Sequence, residues 1–295
     1  MEDGSAHPSL KAHGRARRRL IINRVAELAA TAAAFGAVAV LGIVVWSVLE
    51  RGIPALNLDL FTQVQATFGE AGGGIANAIV GSVIIVAIAT IMALPTGVLV
   101  AIYVSEFAHE QIKRYVRLAL DVLNGVPSIV IGIFVYALLV VGSGQAALKA
   151  SFALAIIMLP LVSRATMEVL SLVPSSLREA SFALGVSKWR TILFVIFPTV
   201  RGGILTGTTL AVARAAGETA PLLFTTSIFL NAVVTDPRQA MATLPYTIFV
   251  YSEAPDKALN EQAWAAAFIL MAFVLVTSLT ARYLLSRSER KLSGR

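Results

Sequence analysis

The sequence contains no cysteine and only three histidines, and charged residues make up just 14% of its 295 positions. The absence of cysteine excludes disulfide bonds, cysteine-ligated zinc and thiol catalysis. Soluble domains carry about a quarter of their residues as charges, so the low charged fraction argues against a soluble protein. The histidines (His7, His13 and His109) lie apart in polar segments and indicate neither a metal site nor a catalytic site.

The sequence also lacks the G-x-x-x-x-G-K-[ST] pattern whose backbone amides hold nucleotide phosphates. We therefore expect that the chain is not an enzyme, that it does not hydrolyse ATP, and that it binds neither a cofactor nor a metal. Its net charge of +7 does not indicate nucleic-acid binding, because the lysines and arginines flank apolar runs and form no separate basic domain. Contact with anionic lipid and the topology of membrane insertion account for that distribution.

Long apolar runs dominate what is present: 57% of residues are hydrophobic and the mean hydropathy is +0.79. A helix needs about twenty apolar residues to cross about 30 Å of hydrocarbon. Within lipid the backbone must satisfy its own hydrogen bonds, so such runs are expected to be helices. We predict an all-α integral membrane protein with six transmembrane helices, covering residues 28–49, 77–104, 122–141, 150–163 (continuing towards 174), 202–231 and 262–281.

The distribution of basic residues predicts the orientation. Of the 24 lysines and arginines, nineteen lie on one side of the predicted spans, four lie on the other, and Arg214 lies inside a span. The positive-inside rule then places both termini in the cytoplasm, for a multi-pass protein of the plasma (inner) membrane. We divide the chain into a disordered basic tail (1–24), a membrane domain (25–285) and a basic C-terminus (286–295).

Arg214 and Glu218 interrupt the fifth predicted span. Each costs several kcal/mol in hydrocarbon unless it faces protein or water, and four residues apart they share one helix face. Pro221 removes an amide and predicts a kink near Gly217. Two interpretations stay open: an ion pair that locks the bundle, or an anion site with Arg214 offering paired donors to oxyanion oxygens.

A polar loop over residues 174–198 separates the fourth and fifth predicted spans. Ser176 and Glu179 have the spacing of a capping box, which predicts a short helix that ends near Leu184, with Gly185 in a turn. The loop also carries Glu179-Ala180-Ser181, three residues, Gly185, nine residues, and then Val-Ile-Phe-Pro198.

This spacing resembles the ATPase-coupling loop of ABC-importer permeases, whose pattern is Glu-Ala-Ala, three residues, Gly, nine residues, Ile, one residue, Leu-Pro. The departures are Ser181, Val195 and Phe197, each close to the family residue in size or polarity. The resemblance implies the type I ABC importer permease fold and a loop that seats on an ATP-hydrolysing subunit. ATP and magnesium would then be bound by that partner.

A second resemblance is narrower. The segment ARAAGETAPLLF over residues 213–224 is similar to the PstA family of bacterial phosphate-importer permeases, as are NGVPSIVIG (124–132) and GGGIANAIVG (72–81). It implies a phosphate pathway at Arg214, Glu218 and Thr219. The implied partners are a second permease (PstC), two ATPase subunits (PstB) and an extracytoplasmic binding protein (PstS). Two alternatives remain: a permease for another oxyanion (molybdate, sulfate or phosphonate), and an independent ion-coupled carrier that uses Arg214 and Glu218 as a proton relay.

Overall fold

The computed structural model describes residues 14–65, 72–228 and 232–292, and within these ranges the chain is helical with no strand. The α-helices are α1 (Arg15–Gly52), α2 (Leu58–Thr62), α3 (Ala76–Ile102), α4 (Glu110–Gly125), α5 (Ser128–Val135), α6 (Ala147–Ser171), α7 (Ser175–Ala183), α8 (Lys188–Thr191), α9 (Phe197–Ala216), α10 (Ala220–Thr225), α11 (Leu244–Ser252) and α12 (Lys257–Leu292). Three π-helical turns (Tyr103–Phe107, Tyr136–Val140 and Ile192–Ile196) extend α3 and α5 and precede α9.

The chain divides into two units, Met1–Glu50 and Arg51–Arg295. In the first unit α1 is exposed along nearly its whole length. The prediction of a disordered tail over 1–24 is wrong for residues 15–24, which are helical. Arginine, alanine and leucine are strong helix formers, so the basic segment continues the membrane helix. Residues 1–13 of the predicted tail lie outside the described residues.

In the second unit the long helices α3, α6, α9 and α12 pack against one another in sequence order. Apolar residues of α3, α6 and α9 form the main core, which includes Ala93, Met158 and Ala211. In the described part of the chain, five helices are long and apolar enough to cross a membrane, and the number is six when one bent helix pair is counted as a single span. The predicted all-α membrane protein with six spans is confirmed in this form.

Small residues allow the close approach of these helices. A β carbon added to Gly97 of α3 would lie 2.9 Å from a methyl group of Val162 on α6. One added to Gly207 of α9 would lie 2.3 Å from the Cβ of Ala165, also on α6. Membrane helices associate through such backbone contacts, since lipid supplies no hydrophobic driving force between them.

The third predicted span is a bent pair. The helix Ser128–Val140 is 13 residues long and follows α4 at an angle of 96°. The break lies at Val126 and Pro127, because proline disfavours helical backbone in the residue before it. The amphipathic α4 therefore does not continue the axis of the span that we predict over 122–141.

The boundaries of the fifth span differ most from the prediction of 202–231. The spanning helix covers Lys188–Ala216 and ends well before the predicted position. A non-helical break then leads into α10, and residues 229–231 lie outside the described residues. Arg214 therefore occupies the last turn of a span, and Glu218 lies beyond that helix. By contrast, the predicted fourth span continues past Arg164 and Glu168, as expected, to Ser171.

Candidate functional site

The break between α9 and α10 positions the charged pair. Gly217 is the C-terminal cap of α9, and its amide donates to the carbonyl of Arg214. Glu218 and Thr219 are non-helical, and Thr219 is the N-terminal cap of α10. Pro221 lies in the first turn of α10, where its missing amide removes no helical hydrogen bond. The predicted kink is thus a full interruption of the helix.

Arg214 and Glu218 approach each other without forming a tight pair. The distance from Arg214 Nε to Glu218 Oε1 is 3.6 Å, beyond the usual hydrogen-bond range. In the single chain the Arg214 side chain is 55% exposed and that of Glu218 is 18% exposed. In the single chain the two residues therefore form neither a fully buried nor a closely hydrogen-bonded ion pair.

A cavity of about 450 Å³ adjoins Arg214, and it lies between α6, α9 and α12. A water molecule occupies about 30 Å³ in the liquid, so the cavity is large enough for a small hydrated anion. Its lining is apolar apart from one charged residue and one hydroxyl: Leu161, Ala165, Gly207, Leu210, Ala211, Ala213, Arg214, Val274 and Ser278. Of the predicted pathway residues, Arg214 lines this cavity, whereas Glu218 and Thr219 lie in the break beside it.

The segment between α6 and α9 consists of α7, a connecting turn, α8 and the π-helical turn Ile192–Ile196, and the last two also begin the spanning helix Lys188–Ala216. The predicted capping box is wrong: Pro174 is the N-terminal cap of α7, and no side-chain hydrogen bond caps this helix. Ser176 is already inside the first turn, because the helix begins at Ser175, two residues earlier than the capping box requires. Glu179 and Ala180 are exposed on α7, and Pro198 is exposed in the first turn of α9.

Gly185 ends α7 as predicted. Its φ is +74°, in the left-handed region that favours glycine. The amide of Gly185 donates to the carbonyl of Phe182, and the amide of Val186 donates to that of Ser181. These two bonds define a Schellman motif, which turns the chain sharply from α7 towards α8. Leu184, beside the turn, is 83% exposed and forms the apolar tip of the loop.

One departure from the family's loop pattern has a structural reason. Ser181 is buried, and its hydroxyl forms a 2.8 Å hydrogen bond with the hydroxyl of Thr191 on α8. Since Thr191 also donates to the carbonyl of Ser187, Ser181 is the donor to Thr191. This bond joins α7 to α8 and fixes the angle between them.

The contacts that attach this loop to the rest of the chain connect residues far apart in the sequence, and no sequence pattern predicts them. Arg178 of α7 forms an ion pair with Glu106, which lies 72 residues away in the π-helical turn after α3. Phe107 packs against Trp189 of α8, with ring centroids 4.6 Å apart. Glu106 is an acidic residue at the end of an apolar run, and this position was the only sign of its importance in the sequence. A local sequence pattern does not identify an ion-pair partner 72 residues away.

A second charged cluster lies where α4 meets α6. The Arg164 guanidinium contacts the carboxylate of Asp121, a residue that sequence analysis did not single out. Asp121, Arg164 and Glu168 line a cavity of about 310 Å³ together with Arg117. The contact between Arg164 and Asp121 connects α6 to α4. Among the described residues, no group of three or more His, Asp or Glu side chains could hold a metal ion.

Comparison with known proteins identifies the family. The profile described as "Binding-protein-dependent transport system inner membrane component" matches residues 93–290. The phosphate transport system permease protein PstA of Pasteurella multocida is 41% identical over 81% of this chain and 85% of its own length. That of Xylella fastidiosa strain Temecula1 is 38% identical over 92% and 95%. The chain belongs to the PstA family.

This membership confirms the PstA resemblance drawn from residues 213–224, and it makes the chain an inner-membrane permease component of the ABC-transporter class. The matched region contains both the loop over residues 174–198 and Arg214. A chain of the inward-facing MetNI methionine ABC transporter superposes with a TM-score of 0.56 at 16% identity, covering 73% of this chain and 94% of that one. The PstA-family chain therefore has the predicted type I ABC importer permease fold.

Proposed function

We propose that this chain is a membrane subunit through which an ATP-driven importer carries inorganic phosphate into the cell. The observation that carries the proposal is Arg214, the charged residue of an otherwise mostly apolar 450 Å³ cavity between three membrane helices. An arginine stays charged and offers paired donors that match oxyanion oxygens. Relatives that share 38–41% of their residues with this chain are named phosphate transport system permeases.

Glu218 gives the site a means of selecting phosphate. Its carboxylate lies 3.6 Å from Arg214 and is mostly buried. Phosphate keeps a proton near neutral pH and can donate a hydrogen bond to this carboxylate, whereas fully deprotonated sulfate cannot and is repelled. Replacing Glu218 with glutamine removes the repulsion, so sulfate should then compete with phosphate for uptake. A phosphate-over-sulfate preference that stays unchanged in Glu218→Gln contradicts this role.

The energy for transport comes from partner subunits that bind ATP and magnesium. The exposed face of α7, with Glu179 and Ala180, and the apolar tip at Leu184 form the surface for an ATPase. The full assembly in this proposal pairs the chain with a second permease (PstC), two ATPases (PstB) and an extracytoplasmic binding protein (PstS). Both termini then face the cytoplasm, on the side that carries most lysines and arginines.

Uptake of labelled phosphate into proteoliposomes containing the complete transporter tests the proposal. We expect uptake to require ATP on the side of the coupling loop and to be lost in Glu179→Ala, through lost engagement of the ATPase. Molybdate, sulfate and phosphonate serve as competitors, and one that is preferred over phosphate would reassign the substrate. Uptake by this chain alone, driven by an ion gradient and insensitive to ATP depletion, would refute the proposal in favour of an independent carrier.

A further inference from the structure

The coupling loop is held by one guanidinium that contacts three elements. Arg178 of α7 donates from Nη2 and Nε to Glu106 Oε1, at 2.8 and 3.2 Å. Its Nη1 donates to the carbonyl of Val173 at 2.8 Å, and Nη2 also donates to that of Leu170 at 3.2 Å. The same side chain thus joins α7, the end of α6 and the turn that ends α3.

Burial makes the ion pair between Arg178 and Glu106 costly to separate. The side chain of Glu106 is only 9% exposed and that of Arg178 is 24% exposed. Water solvates the buried Glu106 carboxylate poorly, so the carboxylate is stabilised mainly by Arg178. Separating the two side chains would leave an uncompensated buried charge. The ion pair between Lys113 and Glu110 has the same 2.8 Å distance, but its Glu110 side chain is 88% exposed and it lies within one helix. Exposed pairs of that kind contribute little.

Phe107, the residue after Glu106, contacts α8, the second helix of the loop. Phe107 packs against the Trp189 ring at 4.6 Å, and the Lys188 ammonium lies 4.9 Å from the centroid of the Phe107 ring. Residues 106 and 107 therefore hold α7 and α8 respectively. Since the Ser181–Thr191 bond joins those two helices, both halves of the loop are attached to the turn after α3 and to each other.

The turn that carries both contacts is π-helical. It covers Tyr103–Phe107 and closes with a bond from the Ala108 amide to the Tyr103 carbonyl. Such turns contain one extra residue and often occur at functional sites. Here the wide turn directs Glu106 towards α7 and Phe107 towards α8 at the end of a membrane span, above a buried apolar cluster that includes Ile102, Leu170 and Ile196.

We propose that the Arg178–Glu106 pair is the joint that passes movement of the coupling loop to the end of α3, and so to the second membrane span. A displaced α7 must carry the end of α3 with it or break a buried ion pair. Phe107 provides the matching contact for α8. Arg178 and Glu106 are positioning residues in this scheme, which rests on the proposed function, and neither contacts the substrate.

The test compares Glu106→Gln, Arg178→Gln, the double variant and the control Lys113→Gln in the complete reconstituted transporter. The measured quantities are the amount of assembled complex and, per assembled complex, phosphate uptake and the stimulation of ATP hydrolysis by the phosphate-loaded binding protein. We expect stimulation to fall towards onefold and uptake to be lost in both single variants. The double variant should be no worse than either single one, because the pair acts as a unit. Lys113→Gln should behave as wild type.

Two outcomes would contradict the proposal that the Arg178–Glu106 pair transmits movement. Normal stimulation per assembled complex in Glu106→Gln means that the pair does not transmit movement, even if the yield of complex falls. Loss of assembly in all variants, including the milder Arg178→Lys, means that the pair serves folding alone. Either result leaves the proposed function intact as long as the wild-type complex imports phosphate. If the wild-type complex does not import phosphate, the proposed function is refuted, and so is the role of the Arg178–Glu106 pair that rests on it.

Discussion

Replacing Gly207 with alanine tests the helix contact that closes the cavity beside Arg214. The added β carbon would lie 2.3 Å from the Cβ of Ala165, whereas non-bonded carbons prefer about 3.5–4.0 Å. Both atoms are fixed to a helix backbone, so α6 and α9 must separate locally by more than about 1 Å. Overpacking costs about 1–3 kcal/mol, and we take about 3 kcal/mol for this rigid contact. The higher helix propensity of alanine offsets about 1 kcal/mol, which leaves about 2 kcal/mol of destabilisation.

The assay is the thermal denaturation midpoint of the purified complex, which we expect to be lower in Gly207→Ala than in the wild type. Uptake should fall as well, because Gly207 and Ala165 both line the cavity. The double variant Gly207→Ala with Ala165→Gly moves the methyl group from one helix to the other and should return close to wild type. Gly36→Ala is the control, since nothing lies within 4 Å of that added carbon. An unchanged midpoint in Gly207→Ala, or no recovery in the double variant, refutes the reasoning.

Three further predictions concern single sites. Gly185→Ala places alanine at φ +74°, at a cost of about 1–2 kcal/mol, and should reduce co-purification of the ATPase partner, whereas Gly185→Asn should do so less. Thr191→Val leaves the buried Ser181 hydroxyl without its acceptor, costs about 1–3 kcal/mol, and should lower the denaturation midpoint more than Ser181→Ala does. Burial raises the pKa of Tyr251 from 10 to about 12, so the unfolded state loses this proton first and stability should fall between pH 10 and 12. That alkaline loss should shrink in Tyr251→Phe, measured by denaturation at each pH; an equal loss in both proteins contradicts the assignment.

Hydropathy predicted much of the membrane architecture, because the length of an apolar run depends directly on bilayer thickness. The second and sixth spans match α3 and α12, and the fourth continues past Arg164 as expected. The third and fifth spans do not, because Pro127 and Pro221 lie at breaks whose size depends on packing. Gly132 illustrates this: an added β carbon there would lie 2.6 Å from the Cα of Pro221, so α5 packs closely against the start of α10, just after the break in the fifth span.

The site was predictable where its determinants are local. The turn at Gly185 follows from backbone conformation alone, and the interruption near Arg214 from the proline that follows it. The prediction of a capping box at Ser176 was wrong because Pro174 is the N-terminal cap of α7, two residues before the cap position that the pattern requires. Arg178–Glu106 and Arg164–Asp121 connect separate helices, and no local pattern specifies such pairs.

Labelled phosphate uptake by the complete transporter carrying Arg214→Gln tests the central claim most directly. Glutamine keeps hydrogen-bond donors but removes the charge that attracts an oxyanion into the cavity. We predict that uptake is lost while the complex still assembles and retains its ATPase, with Arg214→Lys intermediate because it keeps the charge without the paired donors. Uptake at the wild-type rate in Arg214→Gln would contradict the assignment of Arg214 to the phosphate pathway.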